Sequence, residues 1–138
     1  MFRISMFFVF ALILLSGCGE ARRDQKKMHF LHKGNVSFKE RMYNDAMRFY
    51  REAIGIDSSF AQAYNNLGIV YQKMGRDEDA IKAFTDCIIA DPAFYEAYYN
   101  RGNTRYNTRD YASSLIDFNA ATGYYQPASA IYFSKGAS

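Results

Sequence analysis

The sequence contains no tryptophan and only two cysteines, two histidines and two prolines in 138 residues. Two cysteines, Cys18 and Cys87, cannot make a disulfide framework. The histidines, His29 and His32, share one helical turn. No third ligand of suitable type lies near them in the sequence, so no metal centre is expected. There is no glycine-rich phosphate loop, and no Ser/His/Asp set or carboxylate pair stands in a catalytic arrangement, so no catalytic residue and no cofactor is expected. A formal charge of +3 is too small to argue for nucleic acid. The apolar stretch Met6–Leu15 falls short of the roughly 20 residues that cross a bilayer as a helix. Aromatics, by contrast, are abundant: twelve tyrosines and twelve phenylalanines, within an apolar share of 49% that is ordinary for a single globular domain.

The most ordered pattern lies in Ala61–Phe94. Tyr64, Leu67, Gly68 and Tyr71 share one face of a first helix, and Ala80, Ala83, Phe84 and Cys87 share one face of a second. Gly75 falls between them, where a helix end favours positive φ. Asp77 is expected to cap the second helix, and Pro92 to open the next one. Gly68, Ala80 and Cys87 are small enough to let the two helices cross closely, with Tyr64, Tyr71 and Phe84 filling the space around the crossing.

The same pattern recurs along the chain. Gly34, Gly68, Gly102 and Gly136 are each 34 residues apart. Ala46, Ala80 and Ser114 keep that interval, as do Tyr50, Phe84 and Phe118, and Ala53, Cys87 and Ala121. Small residues align with small and aromatics with aromatics. This period and pattern resemble the tetratricopeptide repeat family from Lys27 to Gly136. The resemblance implies an all-α fold: a right-handed superhelix of stacked helix-turn-helix repeats with a concave groove. Repeats are expected at 27–60, 61–94 and 95–128, with 129–138 as an incomplete fourth repeat or a capping helix. In the third repeat Ser114 stands for the usual Ala and Arg109 for the turn glycine, so a looser crossing is expected there. Three repeats are about the minimum for a stable array, so the domain is expected to be marginal or completed by a partner.

The N-terminus carries a second signal. Arg3 precedes the apolar stretch, which ends in Leu15-Ser16-Gly17-Cys18. This run resembles the lipobox of bacterial lipoprotein signal peptides. The resemblance implies that residues 1–17 are removed and that Cys18 becomes a lipidated N-terminus, with a diacylglycerol on its sulfur and further acyl chains such as palmitate. Gly19 following it points to the outer membrane if the host is Gram-negative. Residues 18–26 then read as a charged tether between lipid and domain. Charge is unevenly spread. Basic residues prevail from Arg22 to Arg51, and acidic ones from Glu52 to Glu96. A solvated surface is the plain reading of this asymmetry, and contact with anionic lipid the alternative.

In the resembled family the first helix of each repeat lines the groove. The expected partner-binding residues are therefore Asn35, Phe38, Asn65, Asn66, Ile69, Lys73, Tyr99, Asn100, Asn103 and Tyr106, joined by Leu31, Gln72 and Asn107. Their primary amides suit the peptide bonds of an extended ligand. A family branch that clamps C-terminal carboxylates is set aside, because Leu31, Glu96 and Asn100 stand where its cations would be. Cys87, in a small-residue column, is expected to be a buried, inert thiol.

These readings describe a non-enzymatic adapter of the bacterial cell envelope, lipid-anchored on the periplasmic or outer side of a membrane. It would bind envelope proteins or extended peptides, by analogy with lipidated pilotins and assembly factors of pilus and secretion machines. Self-association through the uncovered third repeat is a further expectation. The alternatives are a shortened piece of a longer repeat array and the accessory repeat region of an envelope enzyme.

Overall fold

The computed structural model describes the backbone of residues 6–124 and the side chains of residues 17–123. Six helices follow one another, with no strand among the described residues: α1 Met6–Lys39, α2 Tyr43–Ile56, α3 Ala61–Lys73, α4 Asp77–Ala90, α5 Tyr95–Asn107 and α6 Tyr111–Tyr124. They pair as three hairpins, α1 with α2, α3 with α4 and α5 with α6. The hairpins stack through α2 on α3 and α4 on α5, which brings α3 beside α5. This is the stacked all-α architecture that the resemblance to the tetratricopeptide repeat family implies. The restart at Ser129–Gly136 lies outside the described residues.

Each hairpin crosses at its glycine, against the ring of the aromatic column. A Cβ placed on Gly68 would lie 2.5 Å from a Phe84 ring carbon, and one on Gly102 2.9 Å from Phe118; Gly34 meets Tyr50 in the same way. Such spacings are inside contact distance, so these positions need glycine for close approach rather than for backbone freedom. The distance is larger in the third hairpin, in keeping with a looser crossing there. Around the first two crossings Leu31, Ala46, Tyr50, Leu67, Val70, Tyr71, Ala80 and Phe84 form one buried cluster. Ala61, Cys87 and Ala97 bury a second between the later hairpins.

The turns inside the hairpins are three copies of one device. At each, a residue at positive φ follows the helix: Arg41 at 61°, Gly75 at 69° and Arg109 at 67°. The amides that follow close back on the last turn, Met42 N on Ser37 O, Arg76 N on Tyr71 O and Asp110 N on Arg105 O, at 2.8–2.9 Å. This is a Schellman cap, which satisfies carbonyls that the helix end would leave unpaired. Only Gly75 accepts the left-handed conformation without strain.

Two sequence expectations are corrected at the helix starts. Asp77 does not cap α4: the N-cap residue is Arg76, without a side-chain cap bond, and Asp77 is the first helical residue. Its carboxylate, with Glu78 and Asp79, acts on the helix N-terminus by charge alone. Pro92 does not open α5, which starts at Tyr95. It sits in a turn in which Asp91 Oδ1 accepts from Ala93 N at 3.0 Å and Asp91 O accepts from Phe94 N at 3.1 Å. Asp57 makes the same pair of bonds with Ser59 and Phe60 one period earlier, so the turn forms with Ser58 in place of proline.

The third hairpin replaces an apolar contact with ions. One period after Leu67 and Ala83 stand Arg101 and Asp117. Arg101 holds both carboxylate oxygens of Asp117, at 3.0 and 2.7 Å, and also reaches Thr85 Oγ1 at 3.0 Å. Arg105 adds a bond to Asp117 at 2.8 Å. Asp117 is 1% exposed, so two cations and three bonds hold a carboxylate that has left water.

Two stability outcomes follow. Arg109→Gly removes left-handed strain from an exposed turn and should stabilise the domain by about 1 kcal/mol in urea unfolding; equal or lower stability would mean that the turn carries no strain. Asp117→Ala strands Arg101 and Arg105 and should destabilise by about 3 kcal/mol. The pair Arg101→Leu/Asp117→Ala, which copies the second repeat at those two positions and leaves only the more exposed Arg105 without its partner, should recover part of that loss. No recovery would show that the ions do more than replace an apolar contact.

Candidate functional site

The concave face is built from α1, α3 and α5, and amide side chains stitch it together. Asn35 Oδ1 accepts from Tyr50 Oη at 2.8 Å and from Asn66 Nδ2 at 3.0 Å. Asn100 Nδ2 donates to Asn65 Oδ1 at 3.0 Å. Gln72 Nε2 donates to Thr104 Oγ1 at 2.6 Å and to the Asn100 carbonyl at 3.2 Å. The Tyr50 bond closes the first hairpin, and the others join one repeat to the next. Much of the amide capacity expected to meet a ligand is therefore spent on register between repeats. Asn65 is buried and forms floor rather than open wall. Leu31, expected in the groove, is 3% exposed and belongs to the core.

The face holds two cavities. The smaller, about 250 Å³, lies between α1 and α3 and is lined by Asn35, Phe38, Lys39, Tyr50, Asn66 and Ile69. The larger, about 740 Å³, lies where α3, α5 and α6 meet. Ile69 is common to both. Of the expected residues, Asn65, Ile69, Tyr99, Asn100 and Asn103 line the larger cavity, and Asn35, Phe38, Asn66 and Ile69 the smaller. Lys73 and Tyr106 line neither. Lys73 is exposed in the last turn of α3, and Tyr106 packs edge-on against Tyr111 with ring centroids 5.2 Å apart.

The larger cavity takes its character from residues outside the expected set. Tyr95, Phe118, Ala121 and Thr122 complete its wall, with Glu96 as its one ionisable carboxylate. Tyr99 tilts against Phe118, with centroids 5.7 Å apart. Phe118 belongs to the aromatic column, and its counterpart Phe84 is fully buried on α4, a helix that α5 packs against. No described element covers α6 in that way, so Phe118 stays partly exposed. The signal for Tyr95 was the cluster Tyr95, Tyr98 and Tyr99 at a helix start whose counterparts in the second repeat are Ala61, Tyr64 and Asn65. The site is mainly apolar and aromatic, with amides on its floor and a single negative charge.

Cys87 is fully buried, and burial pushes its thiol up to about 12, which leaves it without a reactive thiolate. His29 lies edge-on to Phe30. Among the described residues no three of His, Cys, Asp and Glu come together as metal ligands.

At the other end of the array, residues 18–26 are helical and continue α1, where the sequence reads as a tether. Arg23 Nη2 donates to the Ile56 carbonyl at 3.0 Å. Lys27 Nζ lies 2.6 Å from Asp57 and 2.9 Å from Asp24. This part of α1 is seated on the turn after α2. Cys18 is exposed on it. Among the described residues no helix is long and apolar enough to cross a membrane.

The seat is sensitive to acid. The Lys27 bond, with the Ser59 hydroxyl and amide, lowers Asp57 from 3.8 to about 2. A depressed carboxylate stabilises the fold fully above its unfolded value and loses that contribution as pH falls through the folded one. Hydrogen-exchange protection factors of residues 18–27, corrected for the intrinsic rate at each pH, should therefore be high above about pH 4 and fall toward pH 2. In Asp57→Asn the seat should be loose throughout, without this transition. A transition unchanged in that variant would assign it to another group.

Comparison with known proteins agrees with this geometry. A family model described as TPR repeat matches residues 34–75, and models described as tetratricopeptide repeat match 61–94 and 95–127. Hsp70-Hsp90 organizing protein 2 of Arabidopsis thaliana is 35% identical over 83 residues, which are 60% of this chain and 14% of that protein. The chain thus spans a small part of the length of the curated relatives it matches. Among solved structures, the second TPR of Spaghetti (RPAP3), bound to the HSP90 peptide SRMEEVD, superposes with a TM-score of 0.70 at 28% identity, covering 75% of this chain and 96% of that one. MamA does so with a TM-score of 0.70 at 25% identity, covering 72% and 58%.

Proposed function

Because the chain belongs to the tetratricopeptide repeat family, we propose that it is a membrane-anchored adapter that holds an extended segment of an envelope protein in its concave groove. The observation that carries this reading is the 740 Å³ cavity walled by Tyr95, Tyr99 and Phe118. A cavity of that size takes one or two large side chains, and Tyr99 is 54% exposed and within reach of a ligand.

The chemistry of the wall chooses among peptides. The RPAP3 relative holds a peptide with adjacent glutamates. Here Glu96 lines the larger cavity, Leu31 is in the core, and Asn100 is engaged with Asn65. A carboxylate would meet a negative charge and no cation in that cavity. The favoured ligand is an extended segment that seats apolar or aromatic side chains against Tyr99 and Phe118 and is poor in acids. Unused polar capacity on Asn103 is available for its backbone.

Anchoring is supported by the run Leu15-Ser16-Gly17-Cys18. An acyl-bearing Cys18 would hold the groove at a bilayer on the periplasmic or outer side, the outer membrane in a Gram-negative host. Confinement there raises the groove's effective concentration toward partners on the same surface. Several acyl chains are needed for stable attachment, since a single one binds only marginally.

Peptide display against the purified protein should enrich segments with aromatic or large aliphatic residues and deplete aspartate and glutamate. Tyr99→Ala should weaken a selected peptide about tenfold or more in fluorescence polarisation, with an unchanged melting temperature. Enrichment of acidic C-termini, or binding untouched by Tyr99→Ala, would refute the groove assignment. Labelled palmitate should enter the wild-type chain in a bacterial host and not Cys18→Ala; equal labelling of both would refute the anchor.

A further inference from the structure

The helical continuation of α1 sorts charges that a flexible tether would mix. Cys18, Arg22, Lys26, His29 and Lys33 follow one another at helical intervals of three and four residues, so they lie along one face. All five are exposed. The acids of the same segment are turned elsewhere. Asp24 pairs with Lys27, and both, with Glu20 and Arg23, line the cleft against Ile56 and Asp57. Arg23 and Lys27 are thereby spent on seating the helix, which leaves Arg22, Lys26 and Lys33 as an outward basic stripe. Lys33 extends it onto α2, where its ammonium and the Arg48 guanidinium both lie over the Phe49 ring, at 5.4 and 4.3 Å from its centre.

We propose that this face of α1 is a docking surface for anionic lipid headgroups. Along α1 the stripe is straight, exposed and free of acids, as a flat negative surface requires, and only at its α2 margin does an acid enter, where Asp45 pairs with Arg48 at 3.1 Å. It begins at Cys18, the residue read as the lipid attachment point, and to that extent it completes the anchor reading; its attraction to anionic surface does not depend on acylation. The groove residues Asn35 and Phe38 lie on other faces of α1, toward α3 and toward Tyr43. A chain lying along a bilayer on this stripe would therefore keep the groove open to a partner. A solvated polar end of a repeat array would need no such segregation, since acids and bases serve equally well there.

The full chain would be floated with vesicles of neutral phosphatidylcholine and with vesicles containing phosphatidylglycerol. Partition should be at least about tenfold stronger on the anionic vesicles at low salt and should converge on the neutral value at high salt. R22Q/K26Q should remove most of the difference. K82Q/R109Q, with the same change in charge at other sites, should keep it. On the anionic vesicles Lys26 and Lys33 should lose reactivity toward a water-soluble amine reagent, while Lys73 and Lys82 should not. Equal partition into both vesicle types, or Lys26 labelled as fast on anionic vesicles as in solution, overturns the proposal. Binding to neutral vesicles reports the N-terminal anchor by itself, so loss of that binding with anionic preference retained would count against the anchor and not against the stripe.

Discussion

The structure depends on one contact made three times: an aromatic ring lying on a glycine of the partner helix. At Gly68 the space a methyl group would need is filled by Phe84, which is fully buried and cannot move aside. The crossing sets how closely the helices of a hairpin approach, and so sets the shape each hairpin offers to the next. Because the contact recurs every 34 residues, a local distance becomes a global curvature, and the concave face follows from it. Small residues opposite the glycines, Ala46, Ala80 and Ser114, are buried for the same reason.

This contact was legible in the sequence because it fixes residue type at a fixed interval. Columns of glycine and aromatic residues cannot drift without losing the fold, so the stacked all-α architecture followed from the family that their period and pattern resemble. Features that depend on pairs were harder to see. Arg101 and Asp117 look like two separate departures from Leu67 and Ala83, and only their meeting in space makes them one substitution of ions for apolar contact. The turns show the same limit. Gly75 announces a left-handed residue, while Arg41 and Arg109 adopt the same conformation with no glycine to mark it. There the hydrogen bonds of the cap and the packing of the hairpin outweigh a local preference. Asp77 and Pro92 misled in the other direction, since each has a residue type suited to a helix start but stands off the required position.

The groove was half legible. Family geometry points to α1, α3 and α5, whose residues line the two cavities, but it cannot say which amides are free. Asn35, Asn65, Asn66 and Asn100 bond between repeats, so they shape the surface by holding it together. What distinguishes this groove comes from its last hairpin, where Asn65 of the second repeat becomes Tyr99 of the third and the aromatic column surfaces at Phe118. Regular repeats bury the same side chains again and again. A distinctive surface arises where the regularity breaks, and here that break coincides with the larger of the two cavities on this face.

The two ends of the array stand in a mechanical relation. Residues 18–27 are helical and pinned to the turn after α2 by Arg23 and by the Lys27–Asp57 pair. A helix advances about 1.5 Å per residue and resists bending, whereas an unstructured linker of the same length would let the domain tumble about its attachment. Any force or surface that fixes the start of this segment therefore also orients the first hairpin, and the packed hairpins pass that orientation to the cavity at the third. Where Cys18 is held at a bilayer, as proposed, the gain over a flexible tether is angular as well as local. The groove samples fewer directions, so a partner on the same surface meets it in a smaller set of poses and loses less freedom on binding. The cost falls on partners placed elsewhere, which a rigid arm cannot turn to reach. Selectivity for location would then reside in the seat of α1, and selectivity for sequence in Tyr99 and Phe118.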